Sequence, residues 1–120
     1  MIMEDFVTAL ERYTRSINDK AMFILQKENE PCTFKAYKRF RYTLWYIDKS
    51  RDKRFPILTT QLTSRITSPE EEEKAIRMLD LEFMTNVFKF VKGEKFKLIL
   101  GGSYDGNESI LDSTDTGVTA

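Results

Sequence analysis

The chain has 120 residues, 41% hydrophobic and 32% charged, and its 19 cationic and 19 anionic side chains cancel to a formal net charge of zero. That balance, with five Gly and three Pro, describes one globular domain with its own core and excludes a low-complexity or fibrous chain. With no histidine and a single cysteine, the usual general base, the commonest metal ligand and any internal disulfide are missing, so zinc chemistry and histidine catalysis are excluded.

The longest apolar run, Ala21 to Leu25, is far short of the ~20 residues a spanning helix needs, so no membrane segment is expected. Met1 to Asp5 shows no basic region leading into an apolar stretch, so no secretory signal is expected either. A lone Cys32 agrees with a reducing compartment, and the expected location is cytoplasmic, or the virion if the chain is viral. Cys32 itself reads as a small packed residue beside Pro31. Charge is uneven: Lys35 to Arg54 is strongly basic, whereas no cation follows Lys97 and Asp105, Glu108, Asp112 and Asp115 do.

Phe6, Val7, Leu10, Tyr13 and Ile17 recur at three- and four-residue spacing and predict an amphipathic helix over 3–17, with Glu4 and Asp5 favourably placed in its first turn. Beyond it, Asn18-Asp19-Lys20 is either a turn leading into a short strand over 21–26 or a continuation of the helix to about Glu28; Pro31 ends either one. Residues 39–48 alternate, with Phe40, Tyr42, Leu44 and Tyr46 on one parity and Arg39, Arg41, Thr43, Trp45 and Ile47 on the other, which predicts a strand with one core face. Lys49 to Lys53 is a charged loop, and 54–66 returns as the second strand of a hairpin, with Pro56 at its start or on a sheet edge.

Ser68 as N-cap, Pro69 at the first helical position and Glu70 to Glu73 in the first turn mark the start of a second helix over 69–92, closed by Gly93. Its stripe of Ala75, Ile76, Leu79, Phe83, Val87, Phe90 and Val91 is widened by Met78, Leu81, Met84 and Phe88, so more than the sheet is expected to cover it. A third strand is predicted over 95–100, then a turn cluster from Gly101 to Gly106 and an edge strand over 108–111. From Asp112 to Ala120 the residues are too small and polar to bury much surface, so a flexible acidic tail is expected.

Neither GxxxxGK[ST] nor GxGxxG occurs, so the common phosphate loops are missing. Asp105, Asn107, Ser109 and Asp112 imitate a calcium loop, but Ile110 stands where its glycine belongs and Thr116 where its glutamate does. No catalytic, cofactor or metal residue is assigned, and no small-molecule substrate is evident. Two interaction patches are. Lys38, Arg39, Arg41, Trp45, Lys49, Arg51, Lys53 and Arg54 make a basic, aromatic hairpin of the kind that binds single-stranded nucleic acid or a protein partner. A solvated strand face guarding a sheet edge explains the same residues, and zero net charge favours that simpler reading. Met78, Leu81, Met84 and Phe88 make a candidate interface on the second helix.

The order of elements, an amphipathic helix, an aromatic strand, a second strand running straight into Thr67-Ser68-Pro69-Glu70-Glu71, and a long helix, resembles the small tail-terminator and neck proteins of tailed phages. The resemblance covers about residues 3 to 100 as a pattern. It implies a non-catalytic, ring-forming protein at a head–tail or tail-end junction; the basic hairpin and the short ending after the second helix depart from the family.

The reading is therefore an α+β domain over residues 1–111, with a small antiparallel sheet, two main amphipathic helices packed on it and a flexible acidic tail over 112–120. Its expected role is a non-enzymatic structural or interaction protein in an oligomer or larger assembly. The alternative is a small nucleic-acid-binding protein using the hairpin over 35–55.

Overall fold

The computed structural model describes residues 3–101 and 112–119. The elements run α1 (Met3–Arg15), β1 (Ala21–Pro31), β2 (Tyr37–Asp48), β3 (Lys53–Arg65), α2 (Pro69–Val91), α3 (Glu94–Gly101) and β4 (Asp112–Thr119). The sheet order is β1-β2-β3-β4, antiparallel through β3 and parallel between β3 and β4. The fold is α+β, as expected.

Period two decides which side of the sheet is buried. Phe23 faces Tyr46, Leu25 faces Leu44, Phe40 faces Leu62 and Tyr42 faces Thr60, and every helix lies on that side. α1 rests on β1 and α2 on β3, while Phe96 of α3 stacks against Phe23 with ring centroids 6.3 Å apart. The core is centred on Leu44, Leu58, Leu62, Leu79 and Phe83, all at most 1% exposed. Tyr42 crosses from sheet to helix: its ring meets Phe83 edge-on at 5.7 Å and its hydroxyl donates to Asp80 at 2.7 Å. A bulge between Leu44 and Trp45 leaves Ile57 without an opposite residue and admits Pro56 into β3 beside it.

The caps behave as the residue types require. The Ser68 hydroxyl accepts from the Glu71 N–H at 3.2 Å, and Glu71 accepts from the Thr67 backbone and hydroxyl, which holds its carboxyl below the usual range. Gly93 allows the abrupt step from α2 to α3, because an added Cβ would lie 3.3 Å from the Phe90 carbonyl.

Three expectations are corrected. α1 ends at Arg15, where the Thr14 carbonyl accepts from the Ile17 and Asn18 N–H groups, and the open alternative resolves to a strand, β1, that runs on to Pro31. Residues 95–100 are helical: Phe96, Ile99 and Leu100 are buried at helical spacing while Lys97 and Leu98 are exposed, so the short apolar run had the wrong period assigned to it. α2 closes at Val91 and not Lys92. Within the acidic tail, Asp112–Thr119 pairs in parallel with β3 along the far edge of the sheet, as β4. The edge strand over 108–111 and most of the calcium-like loop lie outside the described residues.

Candidate interaction surfaces

The basic patch expected on the hairpin is divided by the pleat. Arg39, Arg41, Trp45 and Arg54 share the sheet face away from the helices, as their parity requires. Lys38 projects on the helix side and lies 3.7 Å from Glu72. Lys49 and Arg51 sit in the single 3-10 turn between β2 and β3, and Lys53 opens β3 opposite Asp48. One continuous cationic stripe is therefore not formed by these residues.

On the open face the cations are engaged by the face itself. Arg39 pairs with Glu30 at 3.2 Å, Arg41 Nε donates to Gln61 at 3.3 Å, and the Arg54 guanidinium lies 5.4 Å from the centroid of Trp45. Trp45 Nε1 donates to Gln26 at 2.8 Å, and Thr43 meets Thr59 at 3.4 Å across the strands. A shallow groove of about 370 Å³ results, lined among the described residues by Glu28 and Arg41 as its charged side chains. Among the described residues, only Arg39 of these three cations is matched by a carboxylate; Arg41 and Arg54 keep their charge but are tied to side chains of the same face, which a phosphate backbone would have to displace. Phe34, 72% exposed and edge-on to Tyr37, stands apart with Lys35 and Arg65 around the β1–β2 turn.

The helical layer presents the stronger feature. α1 and α2 flank a groove of about 640 Å³ lined by Phe6, Ala9, Leu10 and Tyr13 from one side, Val87, Phe88 and Val91 from the other, and Lys92 and Lys97. Phe6 meets Phe88 edge-on at 5.6 Å, yet Tyr13 and Phe88 are 53% and 56% exposed. Of the interface residues expected on α2, Leu81, at 66% exposure, and Met78 extend the apolar surface toward the helix N-terminus. Met84 turns inward and packs against the core. The part played by α1 was not foreseen: Tyr13 falls within the periodic stripe of α1, but Met3, Phe6, Leu10 and Thr14 are its buried residues, which leaves Tyr13 at the rim. The signal available in the sequence was Ala9, a small residue beside that stripe.

A buried polar hub lies at the end of the sheet where β2 turns into β3. Asp48, 1% exposed, accepts from Ser50 Oγ at 2.6 Å, Arg51 at 2.9 Å and Asn18 at 3.1 Å. Burial pushes its carboxyl up, but these donors outweigh that and hold it below the usual range. Asn18 and Arg51 also donate to the Leu100 carbonyl at 3.2 and 3.4 Å, fastening the end of α3 to the turns. This hub is a joint between elements.

Among the described residues no group of three or more His, Cys, Asp or Glu side chains is placed to hold a metal, and no helix is long and apolar enough to cross a membrane. Comparison with protein-family models, curated proteins and solved structures finds no match for this chain.

Proposed function

We propose that this protein is a non-enzymatic interaction protein that acts through protein–protein contacts of its helical layer, within an oligomer or larger assembly. The observation that carries the reading is the set of large apolar side chains left in solvent there, Tyr13 and Phe88 at a formed groove and Leu81 farther along α2, each more than half exposed. Scattered single hydrophobics need no partner, but a contiguous apolar patch on a small domain is what an interface leaves when its partner is removed. A place at a phage head–tail or tail-end junction is the narrower form of this proposal, supported by the order α1, β1 to β3, α2. It carries with it a location in the virion or in the cytoplasm where virions are assembled.

Nucleic-acid binding through the hairpin is the second reading, favoured by the common face of Arg39, Arg41 and Trp45. The engagement of those cations within the face weighs against it. Light scattering on the purified chain over a range of concentrations, with and without a single-stranded oligonucleotide, separates the two. Growth in mass with protein concentration alone supports the first reading. A constant monomer that binds the oligonucleotide, with affinity falling steeply as salt is added, establishes the second and overturns the first.

A further inference from the structure

The groove in the helical layer has a shape and a charge that specify what fits it. α1 sits on β1 and α2 on β3, so the two helices straddle the strand between them, and Phe6 of one meets Phe88 of the other. Two helices set apart on one side of a sheet leave a slot into which a third can pack ridge into groove. The side chain of Ala9 is the smallest in the lining, so a partner's ridge can approach α1 closely there. Tyr13 and Phe88 form rims that are more than half exposed, which keeps the slot open along its top. A helix needs that opening, whereas a lipid tail is held by closed walls.

Among the described residues, the charged ones that line the groove are Lys92 and Lys97, and no carboxylate lines it. Lys97 has a partner in Glu94 at 3.6 Å, but both side chains are largely in solvent, so the pair is weak and exchangeable. We propose that this groove binds an amphipathic helix of a protein partner whose apolar ridge is flanked by acidic residues, with Lys92 and Lys97 reading the acids and Phe88 and Tyr13 clamping the ridge. The inference rests on the protein-contact reading above and names the partner's chemistry. It is the helix-in-groove mode, in which apolar anchors supply the affinity and flanking charge the selectivity.

Fluorescence anisotropy with the full chain and two labelled synthetic peptides of about 14 residues, or four turns, tests it. Both carry leucines at i, i+3, i+4 and i+7; the remaining positions are glutamate in one and lysine in the other. The acidic peptide is expected to bind and the basic one not. Phe88→Asp should weaken binding about tenfold or more, and Lys92→Glu with Lys97→Glu should reverse the preference. The double charge variant alters only exposed side chains, so it decides the matter even if Phe88→Asp fails to fold. Equal binding of both peptides, no binding below about 1 mM, or binding of dodecanoate with no binding of either peptide overturns the inference. Light scattering on the same samples separates the two levels. Self-association abolished by Phe88→Asp, without peptide binding, makes a second copy the occupant and overturns the inference while the protein-contact reading stands. A strict monomer that binds neither peptide overturns both.

Discussion

Arg51 donates to the buried Asp48 carboxylate at 2.9 Å, which converts a residue expected in a nucleic-acid patch into part of the framework. The same carboxylate receives the Ser50 hydroxyl and the Asn18 amide, so the turn after β2 and a segment 30 residues away converge on one buried group. Hydrogen bonds to a charged group are each worth about 1.5–3 kcal/mol, and loss of the acceptor strands its donors. Asp48→Ala should therefore cost about 3 kcal/mol in urea unfolding, and Asp48→Asn somewhat less. A loss below about 1 kcal/mol for Asp48→Ala would show that solvent replaces the carboxylate at no penalty.

The pH dependence of the hub has a definite sign. Because the folded-state value of Asp48 lies below its ordinary one, the unfolded chain takes up the proton first as pH falls. The stabilisation is complete above about pH 5 and is lost as pH drops through the folded value. Wild type should lose stability from about pH 5 downward, and Asp48→Asn should follow a flatter acid limb. Parallel limbs would mean that other carboxylates govern acid unfolding.

At alkaline pH the sign is reversed. Burial, reinforced by the neighbouring Asp48, pushes the Tyr46 hydroxyl up to about 12, and burial with Asp80 raises Tyr42 further. Both raised groups contribute stability that is complete below the ordinary tyrosine value of about 10 and lost as pH rises through their folded values. Phenolate absorbance from these two rings should appear only together with loss of near-ultraviolet circular dichroism. Early titration of Tyr46, shown by comparison with Tyr46→Phe, would place its hydroxyl in water.

Much of this architecture is legible in the residues because each element repeats one instruction. Ser68, Pro69 and the acids after them fix the start of α2, and the alternation from Phe40 to Tyr46 fixes the buried face of β2. The reading fails where the pattern is short or the cause is distant. Residues 95–100 hold too few turns to separate periods of two and 3.6, and only packing of Phe96 against Phe23 and Phe90 settles them as helix. Asp48 gave a local hint in Ser50 two residues on, but its partner Asn18 is 30 residues away, a separation that no periodicity encodes. For the candidate surface, Leu81 and Phe88 were visible as excess apolar width on α2, whereas the opposing wall on α1 emerges only when both helices lie on one sheet.

Ala36 stands at φ 65° in the β1–β2 turn, where its carbonyl accepts from the Ile66 N–H at 2.7 Å. A residue with a Cβ loses about 1–2 kcal/mol in that left-handed region, and glycine does not, though glycine loses more entropy on folding. Ala36→Gly should therefore stabilise the protein by about 0.5–1 kcal/mol, raising its thermal midpoint by a few degrees. A lower midpoint would indicate that the turn relaxes to negative φ.

Removal of the residues after Leu111 tests what β4 contributes. β4 adds a parallel row of backbone pairs alongside Leu58 to Ser64, but its sequence, DSTDTGVT, has Val118 as its one sizeable aliphatic. Each backbone hydrogen bond nets about 0.5–1.5 kcal/mol, and fixing each residue's backbone costs about 1–2 kcal/mol. The two terms nearly cancel, so truncation should shift the thermal midpoint by no more than about 4 °C. It would also expose the edge of β3, where Leu58 to Ser64 offers unpaired N–H and C=O groups with no charge or proline to blunt them. The truncated chain should thus show new, concentration-dependent association that survives Phe88→Asp, because it uses the sheet edge and not the helical groove. A fall in midpoint of more than about 10 °C with unchanged oligomer size would show instead that β4 belongs to the cooperative core.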